Sequence, residues 1–213
     1  MYLLVALADV LQIHPSDFDK SSARAVEDLI NSKYADKVIY KVGLCVGFHS
    51  IIKSSEGLIG HGDGMVNVNV DFRLIVYRPF KGEIIHGVIT HSNPTAGIHL
   101  SQDFFEDIVV PPETMFENTT WGKDDEAFIW TTNENEYFFD LAEGCLFRVE
   151  EEQWTDMSPQ AKSPGGQFIV EDAKTEGEVK KTPYLVRGSM MLSGLGPTLW
   201  WSGDQAEDGE DGA

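Results

Sequence analysis

The most restrictive feature of this sequence is a strict alternation at 65–70, where Val66, Val68 and Val70 alternate with methionine or asparagine. Successive side chains of a β-strand point to opposite faces, so this pattern predicts a strand with one buried and one solvated face. Segments 2–13 and 38–55 are also rich in β-branched and aliphatic residues. The first part of the chain is therefore predicted to contain a half-buried β-sheet.

One helix is predicted between these strands, over residues 21–35. Ser21 or Ser22 can cap its first turn, because a serine hydroxyl accepts a hydrogen bond from a free backbone amide there. The apolar residues share one helical stripe: Ala25, Val26, Leu29 and Ile30. Residues 1–80 are accordingly predicted to form a strand–helix–strand domain.

A glycine-rich segment, EGLIGHGDG, separates the last two predicted strands, with glycines at 57, 60, 62 and 64. It matches no phosphate-binding template, because it lacks the G-x-x-x-x-G-K-[ST] pattern and no helix opens after it. Glycine readily supplies the positive φ of a tight turn. The segment is predicted to be an exposed hairpin tip, suited to insertion into a partner protein.

The second part of the chain follows a boundary at 78–82. Short strands are predicted within 82–92, 96–101, 128–132, 137–156 and 186–192, with glycine, asparagine and proline between them. Such spacing indicates a small closed barrel. The predicted fold class is α+β, with domains at 1–80 and 81–201. A polar insertion at about 157–182, predicted to be mobile, interrupts the barrel, and 202–213 is predicted to be a disordered acidic tail.

Charge is distributed unevenly between the two parts. The net charge is −1 for residues 1–80 and −18 for residues 81–213. A protein that binds DNA or RNA on its own is expected to be basic, so nucleic-acid contact here has to be local or assisted by a basic partner. No apolar run approaches the ~18 residues of a membrane span. The opening residues lack a signal-peptide pattern, which predicts an intracellular protein.

No catalytic constellation is present. There is no G-x-S-x-G motif, and Cys45 and Cys145 form no C-x-x-C pair, so both are predicted to be buried and apolar in role. His86, His91 and His99 have no zinc-ligand spacing, and packing or surface roles are favoured, with base stacking as a third alternative. Alternation places His86 beside Ile84 on one strand face and His91 at or just past the strand end.

Two aromatic pairs leave alternatives open. Phe104 and Phe105 lie among acids rather than among lysines and arginines, so a core role is favoured over nucleic-acid stacking. Trp200 and Trp201 follow the last predicted strand. They could cap the barrel, or they could anchor another subunit, since tryptophan is favoured at interface hot spots.

Several segments together resemble a known family. The segment LIVYRPFKGEIIHGVI, with the glycine tip and MVNVNVDF before it, is similar to the stalk subunits of archaeal and eukaryotic RNA polymerases. The opening MYLLVALADVLQIHPSDF, the IVVPPE run and the ending GLGPTLWW are similar to the RNA polymerase III branch. The resemblance implies a truncated ribonucleoprotein-like domain, a hinge, and an OB-fold barrel of the ribosomal S-one type.

The resemblance implies a non-catalytic role without cofactor or metal. Its expected partners are a smaller stalk subunit in a heterodimer, the RNA polymerase III core near the clamp, weakly bound nascent RNA, and initiation factors. The implied location is the nucleus, and the implied role is support of transcription initiation. Docking on the core is expected of Gly57, Leu58, Ile59, Gly60, Gly62 and Gly64. The hinge is expected at Arg78, Pro79, Phe80, Gly82 and Glu83. Candidates for RNA contact are Lys81, His86, His91 and Arg148.

Three other functions fit the sequence less well than this resemblance does. A free-standing RNA-binding protein would need a basic face, which the charge of residues 81–213 disfavours. An enzyme would need a catalytic motif, and none is present. An acidic scaffold for basic proteins would have no obligatory partner subunit. Only the stalk subunit accounts for the hinge, the tip and the tryptophan pair together.

Overall fold

The computed structural model describes residues 1–60, 62, 64–132, 135–157 and 182–201. The chain divides into two compact units, Met1–Pro79 and Phe80–Ala213. The proposed insertion at 157–182 lies almost entirely outside the described residues, and the proposed tail at 202–213 lies wholly outside them. No helix in the described ranges is long and apolar enough to cross a membrane.

The first unit is a β-sheet with one helix, as predicted. Its elements are β1 (Tyr2–Ile13), a 3-10 turn (Pro15–Asp17), α1 (Ser22–Tyr34), β2 (Lys37–Ile39), β3 (Gly43–Ser54), β4 (Leu58–Ile59) and β5 (Val66–Tyr77). The strand order is β1-β5-β3-β2, with β4 pairing separately with β5, and these pairings are antiparallel. Ser21 is the N-cap residue of α1, although its side chain makes no capping hydrogen bond.

The core of the first unit lies between α1 and one face of the sheet. Ala25, Val26 and Ile30 of the helix are buried in one cluster with Phe72 and Leu74 of β5. Asn31 ties the helix to β3, because its side-chain oxygen accepts a hydrogen bond from the Phe48 amide at 2.9 Å. The alternation seen in the sequence is the cause of this arrangement, since every second residue of β5 from Val68 to Val76 is buried.

Asp9 is a charged residue on the inward-facing side of β1. It accepts hydrogen bonds from the Lys33 ammonium and, at 2.6 Å, from the Tyr34 hydroxyl, both on α1. Partial burial disfavours the charged carboxylate, but the bonds from Lys33, Tyr34 and the Val10 amide outweigh burial and lower the pKa of Asp9. Burial and the bond to Asp9 raise the pKa of Tyr34 to about 12. This network fastens the helix to the edge strand.

We expect Asp9→Asn to lower the free energy of unfolding of the first unit by about 1–2 kcal/mol at neutral pH. Because the folded-state pKa of Asp9 is lowered, its contribution is complete above the unfolded-state value of about 4. The contribution is lost as the pH falls through the folded-state pKa, so the difference between the two proteins should shrink in acid. Urea unfolding followed by far-ultraviolet circular dichroism measures it across this range.

Tyr34→Phe is the matched control for this prediction. It removes one hydrogen bond to Asp9 but leaves the Lys33–Asp9 ion pair, so most of the pH dependence should remain. An Asp9→Asn protein whose stability differed from the parent by the same amount at neutral and acidic pH would contradict the assignment.

The second unit is all-β in its described part, apart from two short 3-10 turns. Its strands are β6 (Ile84–Asn93), β7 (Gly97–Gln102), β8 (Phe105–Val110), β9 (Thr119–Gly122), β10 (Ala127–Thr131), β11 (Glu136–Phe138), β12 (Gly144–Trp154), β13 (Tyr184–Ser189) and β14 (Gly196–Pro197). The 3-10 turns are Pro112–Thr114 and Thr198–Trp201.

Five of these strands close into a barrel in the order β12-β6-β7-β8-β13, with β13 returning to pair with β12. The pairing of β8 with β13 is parallel and the other four are antiparallel. This is the topology of a five-stranded OB-type barrel. The predicted fold class, a sheet-and-helix domain followed by an OB-fold barrel, is confirmed.

Phe147 of β12 fills the barrel centre and is fully buried. The neighbouring strands make room for its ring with glycines: a Cβ on Gly188 would lie 2.7 Å from Phe147 Cδ2, and one on Gly87 would lie 3.3 Å from Cε1. Because interiors pack at near-crystalline density, a large ring at this place requires small residues on both sides.

Two expectations about the second unit were wrong. The segments around 128–132 and 137–138 were expected in the barrel, but β9, β10 and β11 pair only with one another in a separate three-stranded sheet. The barrel closes without them because β13 pairs on both sides, with β8 and β12. The core role favoured for Phe104 and Phe105 holds for Phe105, which is buried, and is wrong for Phe104, which is 48% exposed. Phe105 begins β8, a strand that had no prediction.

Candidate functional site

The glycine-rich segment is a hairpin at one end of the first sheet. Leu58 and Ile59 pair with Asn67 and Val66 of β5, and the Gly60 amide donates a 2.9 Å hydrogen bond to the Met65 carbonyl. Gly62 and Gly64 have φ of +98° and +68°. Leu58 and Ile59 are 69% and 73% exposed. Two apolar side chains on a hydrogen-bonded hairpin are therefore directed to solvent.

The residues predicted as a hinge are anchored on either side of the 79–80 bond. The Arg78 amide donates to the Met1 carbonyl at 2.8 Å, and its guanidinium donates to the Lys41 carbonyl. The Phe80 amide donates to a Glu83 carboxylate oxygen, while the Gly82 amide donates to the Val149 carbonyl at 2.7 Å. Gly82 has φ of +86°. Pro79, which has no amide hydrogen to donate, stands at the boundary between the two units.

His86 and Arg148, two RNA-contact candidates, lie on the outward face of adjacent barrel strands. In the antiparallel register Leu146 is opposite His86, and Arg148 is opposite Ile84. Ile84 and His86 are exposed on the same face of β6, as the alternation predicted. Arg148, however, is engaged by Glu150, which accepts hydrogen bonds from two of its guanidinium nitrogens. Its guanidinium is therefore already paired with a carboxylate of its own strand.

His91 lies inside β6, so its expected place at or past the strand end was wrong. The strand continues to Asn93 because the turn to β7 begins only at the following proline. His91 pairs with His99 of β7, and the ring centroids are 5.8 Å apart. Burial, followed by the proximity of His91, lowers the pKa of His99, which favours its neutral form. Lys81, the remaining candidate, is exposed in the turn before β6.

Metal binding and thiol chemistry find no support in the described part of the chain. No group of three or more histidine, cysteine, aspartate or glutamate side chains there could hold a metal ion. Both cysteines are buried. Burial, reinforced by Glu143, raises the pKa of Cys145 to about 12, and burial also raises that of Cys45. Each thiol is thus kept protonated in a packing role.

Trp200 packs against aromatic residues of its own unit. Its ring centroid lies 4.8 Å from Phe139, 5.3 Å from Tyr137 and 5.6 Å from Trp130. The Trp201 indole donates to the Leu195 carbonyl at 2.9 Å. Of the two alternatives, these contacts suit packing over the barrel and the sheet of β9–β11. Trp200 remains half-buried, so an additional contact with a partner is compatible with the same position.

Arg187 is a cation that the sequence analysis missed. It lies on β13, opposite Glu151 of β12 and Val109 of β8, and lines a groove of about 340 Å³. In the sequence it is a single arginine in a short apolar strand. Only the parallel pairing of β8 with β13 places it beside the loop at 94–96, so no local signal identified it.

Comparisons with known proteins agree with this architecture. The family model "RNA polymerase III subunit Rpc25" matches residues 83–201. The model of the SHS2 domain found in the N terminus of Rpb7p, Rpc25p and MJ0397 matches residues 8–64.

Curated relatives match along nearly the whole chain. The DNA-directed RNA polymerase III subunit rpc8 of Schizosaccharomyces pombe is 35% identical over 207 residues, covering 94% of this chain and 100% of the relative. RPC8 of Saccharomyces cerevisiae is 34% identical with the same coverage, and RPC8 of Bos taurus is 33% identical over 95% of this chain and 99% of the relative. The chain belongs to the family of the RNA polymerase III subunit Rpc25.

Proposed function

We propose that this chain is the stalk subunit of RNA polymerase III, a non-catalytic component that works in the nucleus and supports transcription initiation. The observation that carries the proposal is the match to polymerase III subunits over almost the entire length of both chains. Because 99–100% of each relative is covered, the proposal does not depend on one shared domain alone.

The glycine tip is proposed to dock on the polymerase core near the clamp. Support comes from the exposure of Leu58 and Ile59 on a hairpin whose backbone is already paired. Exposed aliphatic side chains at a fixed position gain about 1.5–3 kcal/mol each when a partner buries them. The segment 78–83 is proposed as the hinge between the docking domain and the barrel.

A smaller stalk subunit is proposed as the heterodimer partner. Tyr2, Leu4, Ala6, Ala8 and Val10 line the outward face of β1 and are all exposed. β1 is also an edge strand of its sheet. A row of exposed apolar side chains on an edge strand promotes aggregation of a free protein. In a complex, the same row is buried against the partner and stabilises the interface. Trp200 and Trp201 are kept as candidate anchors for a partner.

The barrel is proposed to meet the emerging transcript, with low intrinsic affinity. The support is the OB-type topology, which recurs in oligonucleotide-binding proteins. The net charge of −18 for residues 81–213 opposes binding to phosphates, so contact has to be local. The same acidity suits an interaction with basic initiation factors. Lys81, His86, His91 and Arg148 were proposed from the sequence, and the pairing of Arg148 with Glu150 weakens its candidacy.

Affinity purification of the tagged chain from nuclei tests the proposal, with its companions identified by mass spectrometry. We expect the large polymerase III subunits and one small subunit to be recovered in stoichiometric amounts. An untagged extract treated identically controls for nonspecific recovery. Recovery of RNA or of another complex, without polymerase subunits, would mean that the barrel acts as a free-standing RNA-binding protein or an acidic scaffold.

A further inference from the structure

A groove on the outside of the barrel lies between the β6–β7 loop and the strands β8 and β13. Its volume of about 340 Å³ is at the small end of the ~300–1,000 Å³ typical of ligand clefts. Thr95 and Ala96 line it from the loop, Val109 and Pro111 from β8 and beyond, and Arg187 from β13. The groove lies wholly within the second unit.

Arg187 is available to a ligand, unlike the other arginine of the barrel. No described residue accepts a hydrogen bond or forms an ion pair with its guanidinium, whereas Arg148 is held by Glu150. Four cationic residues of the second unit are described, and Arg187 is the one that lines this groove: Lys81, Lys123, Arg148 and Arg187. A guanidinium donates in a planar fork that matches the oxygens of a phosphate.

Neutral hydrogen-bonding side chains surround Arg187 in the groove. Gln153 near the end of β12, Thr155 just after that strand and Thr182 before β13 contribute to the lining. Hydroxyl and amide groups of this kind contact phosphate and sugar oxygens in nucleic-acid complexes without selecting a base sequence. The loop between the first two barrel strands is also one of the places where OB-folds bind oligonucleotides.

Two acidic residues near Arg187 are expected to lower the affinity of the groove for an anion. Glu113 lines the same groove, and Glu151 is directly opposite Arg187 in the strand register. Both carboxylates repel a phosphate, so binding at Arg187 has to be weak and sensitive to each single charge. An acidic peptide would meet the same repulsion and would lack ribose hydroxyls to pair with the threonines, which favours RNA as the occupant.

We infer that Arg187, in the groove between the β6–β7 loop and β13, contacts a backbone phosphate of single-stranded RNA. The inference rests on the proposed function, because the emerging transcript reaches this barrel only from an assembled polymerase. It assigns the main phosphate contact to a residue outside the four that the sequence suggested.

Binding of fluorescently labelled oligouridine to the full chain tests the inference, by anisotropy between about 50 and 200 mM salt. Arg187→Gln should weaken binding about ten-fold at the lower salt and reduce the slope of log K against log salt by about 0.7–1. Lys123→Gln is the charge control, because Lys123 is exposed, lies outside the groove and is not among the four RNA-contact candidates. It should weaken binding less than about two-fold. Glu113→Gln should tighten binding, and Arg187→Lys should restore part of the loss.

Equal losses from Arg187→Gln and Lys123→Gln would overturn the inference. The absence of oligouridine binding by the unsubstituted chain at low salt would also overturn it. Recovery of polymerase subunits with tagged Arg187→Gln is measured in parallel. A drop in that recovery without a change in oligouridine binding would make Arg187 a protein contact and overturn the RNA assignment. If the unsubstituted chain recovers no polymerase, the proposed function is wrong. The anisotropy measurement still tests whether Arg187 binds RNA.

Discussion

Replacing Gly97 with alanine is expected to destabilise the barrel by about 3 kcal/mol or more. Gly97 begins β7 with φ of +100°, a conformation that costs energy for any residue with a Cβ. The new Cβ would also lie 2.1 Å from the Val110 carbonyl oxygen and 2.9 Å from the Pro111 Cα. These backbone atoms cannot rotate away, so β7 has to separate from β8.

Tryptophan fluorescence reports on this change, because all five tryptophans of the chain lie in the second unit. Gly194→Ala is the control: Gly194 has φ of +86°, but nothing lies within 4 Å of its added Cβ. Urea unfolding should therefore show a loss of only about 1–2 kcal/mol for this variant. Similar losses for the two variants would mean that the conformation alone, and not the contact with Val110, restricts Gly97.

Charging the tip is expected to detach the chain from the polymerase while leaving it folded. In the double variant Leu58→Asp, Ile59→Asp, recovery of the large polymerase subunits should fall at least about ten-fold, because two aliphatic side chains lose their burial against the core. The two residues are 69% and 73% exposed, so the free chain loses little packing. Affinity purification with quantitative mass spectrometry measures the recovery.

Leu141→Asp provides the comparison for this result, since Leu141 is 62% exposed and lies in the second unit. It adds a charge without touching the tip and should leave recovery of the polymerase unchanged. Circular dichroism of both proteins checks that they remain folded. Undiminished recovery with the double variant would remove the tip from the docking surface, even if the rest of the proposed function held.

Local sequence patterns were sufficient to predict the main strand, the helix and the hairpin of the first unit. The alternation at 65–70 and the apolar stripe of Ala25, Val26 and Ile30 predicted β5 and α1, and both are buried where the patterns required. Strand and helix periodicities are local properties, so a single segment reveals its buried face. The glycines at 57–64 likewise predicted a hairpin, because positive φ is a property of one residue at a time.

The tertiary structure alone decided which strands close the barrel and which of its two arginines is paired with a carboxylate. Strands β9–β11 carry the same residue types as barrel strands, yet they form their own sheet, because pairing depends on partners distant in sequence. Arg148 and Arg187 look alike in the sequence, but the fold sets one beside Glu150 and the other in an open groove. The composition of residues 81–213 determined that any RNA contact must be local and weak. The proposed position of that contact, Arg187, depends on the parallel pairing of β8 with β13, which joins residues almost eighty positions apart.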